Sequence, residues 1–235
     1  LSGTVKLYQE SPFARTYSGL VGQLVAEALA DLPGERPLRI LEIGGGTGGT
    51  SSYVLPQLPA NRSRYVFTDM SPLFLDRARQ KFTAYPFVDF RLLNIENDPV
   101  AQGFAGEKFD LIVAANVIHA TADLRQTLGH VQQLLVPGGL LLMLEMTHPI
   151  RWIDLSFGLT DGWWRFVDRD VRPSYPLLTR EGWLDLLAEM GFAAATAVPH
   201  QENLLSEQAI LLARHPLAPT GDLSGSWLIF ADEKG

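Results

Sequence analysis

The segment from Leu38 to Gly49, LRILEIGGGTGG, constrains the fold more than any other part of the chain. An apolar run of strand character ends abruptly in glycines, and helix-forming residues follow. Glycine lets the backbone turn tightly and approach a ligand with no Cβ in the way. Gly44, Gly46 and Gly49 satisfy GxGxxG, the loop that opens a nucleotide-binding βαβ unit. The rest of the chain repeats that alternation. Short apolar runs predict strands at 38–43, 64–68, 90–93, 111–115, 140–145, 193–198 and 209–214. Helical patterns fall at 14–29, 47–58, 72–82, 123–135 and 180–190, the last closed by Gly191. The expected fold is α/β: a Rossmann-like, seven-stranded, mostly parallel sheet with helices on both faces. An aromatic insertion spans 148–178, after the fifth strand. Residues 215–226 read as a linker, and the apolar run 227–230 reads as a strand whose partners lie elsewhere.

The bulk numbers narrow the function class. A formal charge of -7 over 235 residues argues against a nucleic-acid surface, which needs clustered Lys and Arg. There is no cysteine, so disulfides and thiolate metal sites are excluded, and the five histidines show no metal-ligand spacing. We expect no metal. The longest apolar run, 138–144, is too short to span a bilayer. A cytoplasmic location, with neither membrane nor nucleic acid as partner, is the default expectation.

The glycine loop alone does not separate a nicotinamide dinucleotide from S-adenosylmethionine (SAM); its neighbours do. Glu42 stands two residues before Gly44, late in an otherwise buried strand, where a carboxylate is costly without a partner. A dinucleotide fingerprint normally has an apolar residue there. The E-x-G-x-G-x-G series of Glu42, Gly44, Gly46 and Gly48 resembles motif I of class I methyltransferases, in which the acid helps order the cofactor's amino-acid end. On that reading Gly44, Gly46, Thr47 and Gly48 cradle SAM, and Asp69, closing strand two, accepts from the ribose hydroxyls. Asn94 then meets the adenine edge, with Met70 and Ile95 packing its faces; the family more often has Asp at the position of Asn94. Plainer readings stand beside these: a glycine turn without a ligand, Asp69 as a helix cap before Pro72, Asn94 as a strand terminator.

Strand four exits into Asn116, Val117, Ile118 and His119, and strand five ends at Glu145 after a wholly apolar run. In this topology the two strand ends are neighbours, so His119 and Glu145 can meet. An imidazole held by a carboxylate is a general base whose tautomer the acid fixes. The plainer reading of His119 is a loop histidine satisfied by backbone, and His148 is the rival base.

These residues also resemble a specific family. NVIHAT at 116–121, the strand ending at Glu145, and FGLTDGWWRF at 157–166 are similar to the C-methyltransferase domain of modular polyketide synthases. So are SPFAR at 11–15 and Pro176 to Leu178 followed by Trp183. The similarity runs from about Tyr8 to Arg214. It implies a SAM-dependent carbon methyltransferase, with His119 and Glu145 as the catalytic dyad and S-adenosylhomocysteine as product. The implied substrate is a β-ketoacyl thioester on the phosphopantetheine arm of an acyl carrier protein, methylated at its α-carbon in polyketide biosynthesis. Neighbouring synthase domains are implied partners. The resemblance divides the chain into a leading helical or lid segment at 1–36, the core at 37–214, and a linker with the start of a ketoreductase-type region at 215–235. It also implies further lid sequence ahead of Leu1 in the longer protein.

Asn116 joins the cofactor-binding set and is one candidate donor to the enolate oxygen, with a backbone N–H or a lid residue as others. Tyr8, Tyr17, Trp163 and Trp164 are the expected substrate contacts. Trp152, Phe157 and Phe166 extend an acyl channel, and Arg151, Arg165, Arg169 or Arg172 could meet the pantetheine phosphate. A small satellite core is the equally natural reading of the aromatic stretch. The alternative functions are an O-methyltransferase of a polyketide module, a nicotinamide-dependent oxidoreductase, or a non-catalytic domain.

Overall fold

A computed structural model describes residues 12–30, 36–199 and 207–217. Tyr8, His200, the far part of the expected linker and the run at 227–230 lie outside the described residues.

The seven strands are β1 (Leu38–Ile43), β2 (Ser63–Asp69), β3 (Val88–Leu92), β4 (Phe109–Ala115), β5 (Leu135–Met146), β6 (Ala194–Val198) and β7 (Gln208–Arg214). They form one sheet in the order β3-β2-β1-β4-β5-β7-β6. β7 runs antiparallel to both of its neighbours, and every other pairing is parallel. The chain leaves β1 toward β2 on one side and returns through β4 on the other. The strand order therefore reverses beside β1, and the crevice at its carboxyl end is where such sheets bind ligands.

Strand periodicity sorts the core into two layers. Along β5, Leu141 and Met143 face one cluster, while Leu142 and Leu144 face the other. The first layer is covered by the helices Leu124–Leu134 (α4) and Arg180–Glu189 (α6). The second is covered by the helices Pro12–Ala30 (α1) and Pro72–Lys81 (α3), with the short helix Ser51–Val54 (α2) between them in sequence. Tyr17, Val21, Val25 and Leu29 recur every fourth residue on α1, so one stripe of that helix is buried. Each such fully buried side chain contributes about 1.5–3 kcal/mol. Asp123 caps α4 by accepting from Gln126 N–H, and Thr179 caps α6 by accepting from Gly182 N–H. Gly191, at φ +79°, stands just past α6, as its sequence position predicts.

Two local expectations are corrected. The helix predicted over 47–58 shrinks to α2 and a 3-10 turn at Leu55–Gln57. Gly48 at φ +71° leaves helical backbone before α2, and Pro56 has no N–H to continue it. β5 begins at Leu135 rather than 140, because Leu135 pairs with Phe109 ahead of an irregularity in the ladder. The insertion, which carries the one-turn helix Arg151–Asp154 (α5), packs a third small core of Met146, Ile153, Trp163 and Leu177.

Candidate functional site

A cavity of about 540 Å³ opens at the carboxyl ends of β1, β4 and β5. Gly44, Gly45, Gly46, Thr47 and Gly49 form one wall, with Glu42 among them. Tyr17, Asn116, Leu144, Met146, Trp152 and Gln208 contribute others. Gly46 sits at φ +53°, and an added Cβ would meet nothing nearer than the Gly44 carbonyl at 3.8 Å. A side chain there would project into open space beside the cavity. Gly48 does different work: a Cβ would lie 2.7 Å from the Phe82 ring, so this glycine lets α3 pack against the turn. Gly45, outside the expected set, borders the cavity with its back to Phe67.

Charge is unevenly satisfied around the turn. Glu42 is buried and accepts from the Ser51 hydroxyl at 2.6 Å. Burial pushes its pKa up to about 7, against the pull of the Ser51 and Tyr65 hydroxyls. Asp69 uses one carboxylate oxygen to accept from Gly46 N–H at 2.9 Å and the other from Ser71 N–H at 2.8 Å. Burial raises its pKa too, and those backbone donors oppose the rise. Asp69 thus fastens the glycine turn to the end of β2. Lys81 grips the same turn by donating to the Thr47 and Gly48 carbonyls at 3.1 and 2.8 Å.

The residues expected at adenine do not border this cavity. Asn94 Oδ1 accepts from Glu96 N–H at 3.1 Å, closing a turn, while Ile95 is buried in the main core and Met70 is exposed. Gln102 supports that turn: its amide accepts from Asn94 N–H and donates to the Asn94 carbonyl.

Asn116 marks the exit of β4 with φ +55°, a conformation that Asn tolerates better than most residues. It is locked on three sides. Its N–H donates to the Leu144 carbonyl at 2.6 Å, its Oδ1 accepts from Met146 N–H at 3.1 Å, and its Nδ2 donates to Gln208 Oε1 at 3.2 Å. The Tyr17 hydroxyl donates to the Gln208 carbonyl at 3.4 Å, which ties α1 to the start of β7. Burial raises the Tyr17 pKa to about 12, so this phenol stays neutral.

His119 and Glu145 meet. Nδ1 of His119 lies 2.5 Å from Glu145 Oε2, and Oε1 of the same carboxylate accepts from Ile118 N–H at 2.9 Å. The Trp163 ring stands edge-on to the imidazole at 5.8 Å. His119 is only 4% exposed and Glu145 is wholly buried. Neither lines the cavity, although Val117, Leu144 and Met146 beside them do. The dyad is therefore buried just behind the wall that these three residues form. His148, the rival base, contacts Thr147 Oγ1 and borders a separate small recess with Arg180 and Glu181.

Arg172 anchors the loop that carries the imidazole. It is buried, pairs with Asp168 at 2.7 Å, and donates to the carbonyls of His119, Thr121 and Ala122 at 2.8 to 3.0 Å. Asp168 also accepts from Leu124 N–H, so the pair links the insertion to the start of α4. This corrects the expectation that Arg172 is free for a phosphate. Arg165 pairs with Glu96, and Arg169 lies over the Phe166 ring at 4.2 Å.

Of the expected substrate residues, Tyr17 reaches the cavity wall, and among the named aromatics of the insertion Trp152 does so. Trp163 instead fills the third core against Phe157 and Tyr175. Trp164 is 44% exposed, with its indole N–H bound to the Gly158 carbonyl. Trp163 thus takes the satellite-core arrangement, covered by Phe157 and Tyr175, whereas Trp164 keeps an exposed face. Gln208 escapes a reading of the sequence, since it begins a strand far from every recognisable motif. No group of three or more metal-ligating side chains occurs among the described residues. No described helix is long and apolar enough to cross a membrane.

A methyltransferase domain family matches residues 41–141. The highly reducing polyketide synthase ALT1 of Alternaria alternata is 42% identical over 188 residues, covering 77% of this chain but 7% of that synthase. The chain thus corresponds to a small part of so large a protein. Among solved structures, the CurJ carbon methyltransferase is 45% identical with a TM-score of 0.88, over 92% of this chain and 58% of that one. The trans-methyltransferase CalH, solved as a complex with SAH, is 38% identical with a TM-score of 0.70, over 86% of this chain and 55% of its own.

Proposed function

The chain belongs to the methyltransferase domains of polyketide synthases, and from that premise we propose that it methylates the α-carbon of a β-ketoacyl thioester borne by an acyl carrier protein. Carbon is the acceptor in the similar CurJ enzyme, and the α-carbon between two carbonyls is the position acidic enough for an imidazole to deprotonate. The observation that carries the proposal is the His119–Glu145 contact beside a glycine-walled cavity.

The cavity suits SAM on its own chemistry. Glu42 is a buried carboxylate on the wall with the Ser51 hydroxyl as its hydrogen-bond partner, and the ammonium of an amino-acid end supplies the positive charge that burial denies it. The open space ahead of Gly46 admits a ligand where any side chain would intrude. SAM, when bound, supplies a methyl group activated by its sulfonium. We assign Gly44, Gly46 and Thr47 to hold it, with Gly48 shaping the turn behind them. Asp69 serves the ribose through the turn it fastens, and Met70, Asn94 and Ile95 mark the adenine end.

His119 is the base in this reading. Glu145 accepts a hydrogen bond from Nδ1–H, which leaves the Nε2 lone pair to take the proton from the substrate carbon. Nε2 makes no hydrogen bond to any described residue. Glu145 is a positioning residue: its second oxygen is fixed by Ile118 N–H, so the ring cannot swing without losing its own bond to Oε2. Little of His119 is exposed, and its unpaired Nε2 is not among the fully buried atoms, so that edge stays accessible. The core at 37–214, with a following synthase region from 215, and docking to carrier and neighbouring domains, are part of the same proposal.

Incubation with SAM and a synthetic β-ketoacyl thioester, with the new methyl located by NMR, tests it. Methyl on the α-carbon is the expected product; methyl on oxygen, or reduction driven by a nicotinamide, would replace this reading.

A further inference from the structure

The amide pair of Asn116 and Gln208 has a fixed sense of direction. A backbone N–H only donates, so the atom of Asn116 that meets Met146 N–H must be its oxygen. Its amide nitrogen therefore faces Gln208, and the Gln208 atom it meets must be an acceptor, Oε1, at 3.2 Å. Nε2 of Gln208 is left as a donor with no hydrogen bond to any described residue. Gln208 is 8% exposed and lines the cavity. Gln208 Nε2 is not among the fully buried unpaired atoms, so it keeps some access to the cavity, where a ligand oxygen can accept from it.

Its place in the sheet adds the second observation. In the β5–β7 ladder Gln208 faces Met146 and Ala209 faces Glu145, so the amide stands one residue along from the dyad's carboxylate. Gln208 and its ladder partner Met146 both line the cavity, and Glu145, one rung away, is buried just behind that wall.

We propose that Gln208 Nε2 donates to an oxygen of the β-dicarbonyl substrate and to the enolate that forms from it, and that Asn116 is the positioning residue that aims it. This rests on the carbon-methylation reading above. The proton leaves the α-carbon for His119, the electron pair moves onto the oxygen, and the Gln208 N–H stabilises the charge gathering there. Asn116 holds the amide so that nitrogen, not oxygen, is presented.

Three variants test it with the whole chain: Gln208→Met, which keeps the shape and removes the donor; Asn116→Asp, which turns Gln208 over; and the double variant. The carboxylate introduced by Asn116→Asp offers only acceptors, so Gln208 would give it Nε2 and present Oε1 to the substrate. Turnover of a β-ketoacyl thioester and S-adenosylhomocysteine affinity are measured for each. The expected result is a kcat fall of about 10²–10³-fold for Q208M, a comparable fall for N116D, and a double variant no worse than the worse single one. Cofactor affinity stays within about twofold in all three. A Q208M rate within a few fold of wild type overturns the proposal. So do losses that multiply in the double variant, or a Q208M variant that loses cofactor affinity in step with rate. Wild-type protein that leaves the thioester unmethylated overturns the functional reading itself, and this inference with it.

Discussion

His119 Nδ1 and Glu145 Oε2 lie 2.5 Å apart although 26 residues separate them, and the same carboxylate also takes the Ile118 N–H. The imidazole is thereby held in one tautomer by a group that itself cannot turn. Replacing His119 with Ala should lower methylation about 10²–10⁴-fold, with S-adenosylhomocysteine affinity nearly intact by calorimetry. Glu145→Gln should also cost several powers of ten, because an amide can donate to Nδ1 and impose the wrong tautomer. Full turnover in either variant would remove the dyad from the mechanism.

Arg172 gives that loop its rigidity. Removing one partner of a buried, hydrogen-bonded ion pair costs about 3–5 kcal/mol, and here three backbone carbonyls lose their donor as well. Arg172→Met should lower stability in urea by that order. An unchanged midpoint would mean that the pair holds nothing in place.

Two glycines of one turn should fail differently. Gly48→Ala places Cβ 2.7 Å from Phe82 at a φ of +71°, so the variant should melt several degrees lower. Gly46→Ala meets nothing closer than 3.8 Å, so it should fold with a smaller loss yet bind S-adenosylhomocysteine at least tenfold more weakly. Thermal melts with and without the ligand separate the two effects. Equal ligand affinity in Gly46→Ala and wild type would show that the turn does not cradle the cofactor.

Glu42 should make both stability and binding depend on pH. Its carboxyl is raised from 4.5 to about 7, so between those values the folded chain holds a proton that the unfolded chain has released. Its contribution to stability is fully present below pH 4.5, declines by about 3 kcal/mol as pH rises to 7, and is flat beyond. The ammonium of the ligand's amino-acid end favours the ionised carboxylate beside it, so S-adenosylhomocysteine affinity should climb from pH 6 to pH 8. Glu42→Gln should flatten both profiles; a steep profile in that variant would place the titrating group elsewhere.

What is legible in the sequence and what is not follow one physical rule. The glycine turn, Glu42, the strand-end histidine and the alternation of seven strands are local patterns, with periods of two or near four, and they can be read residue by residue. The dyad is also within reach, because parallel topology makes the ends of β4 and β5 neighbours. Asn116 opens the NVIHAT string, but its partner Gln208 lies 92 residues away and matches no motif, so the sequence does not announce their pairing. Arg172 reads as a free surface cation because its burial depends on carbonyls turned inward some 50 residues upstream. In the insertion, composition promises aromatic contacts but does not say whether rings pack on a ligand or on each other. Trp163, set against Phe157, Tyr175 and His119, shows the second outcome.

The most direct measurement is intact-protein mass spectrometry of a carrier protein loaded with a β-ketoacyl chain and incubated with SAM and this chain. Gain of a methyl on the acyl group with wild type, and none over the same interval with His119→Ala, is the expected result. Equal methylation by both proteins would contradict a histidine base held by Glu145.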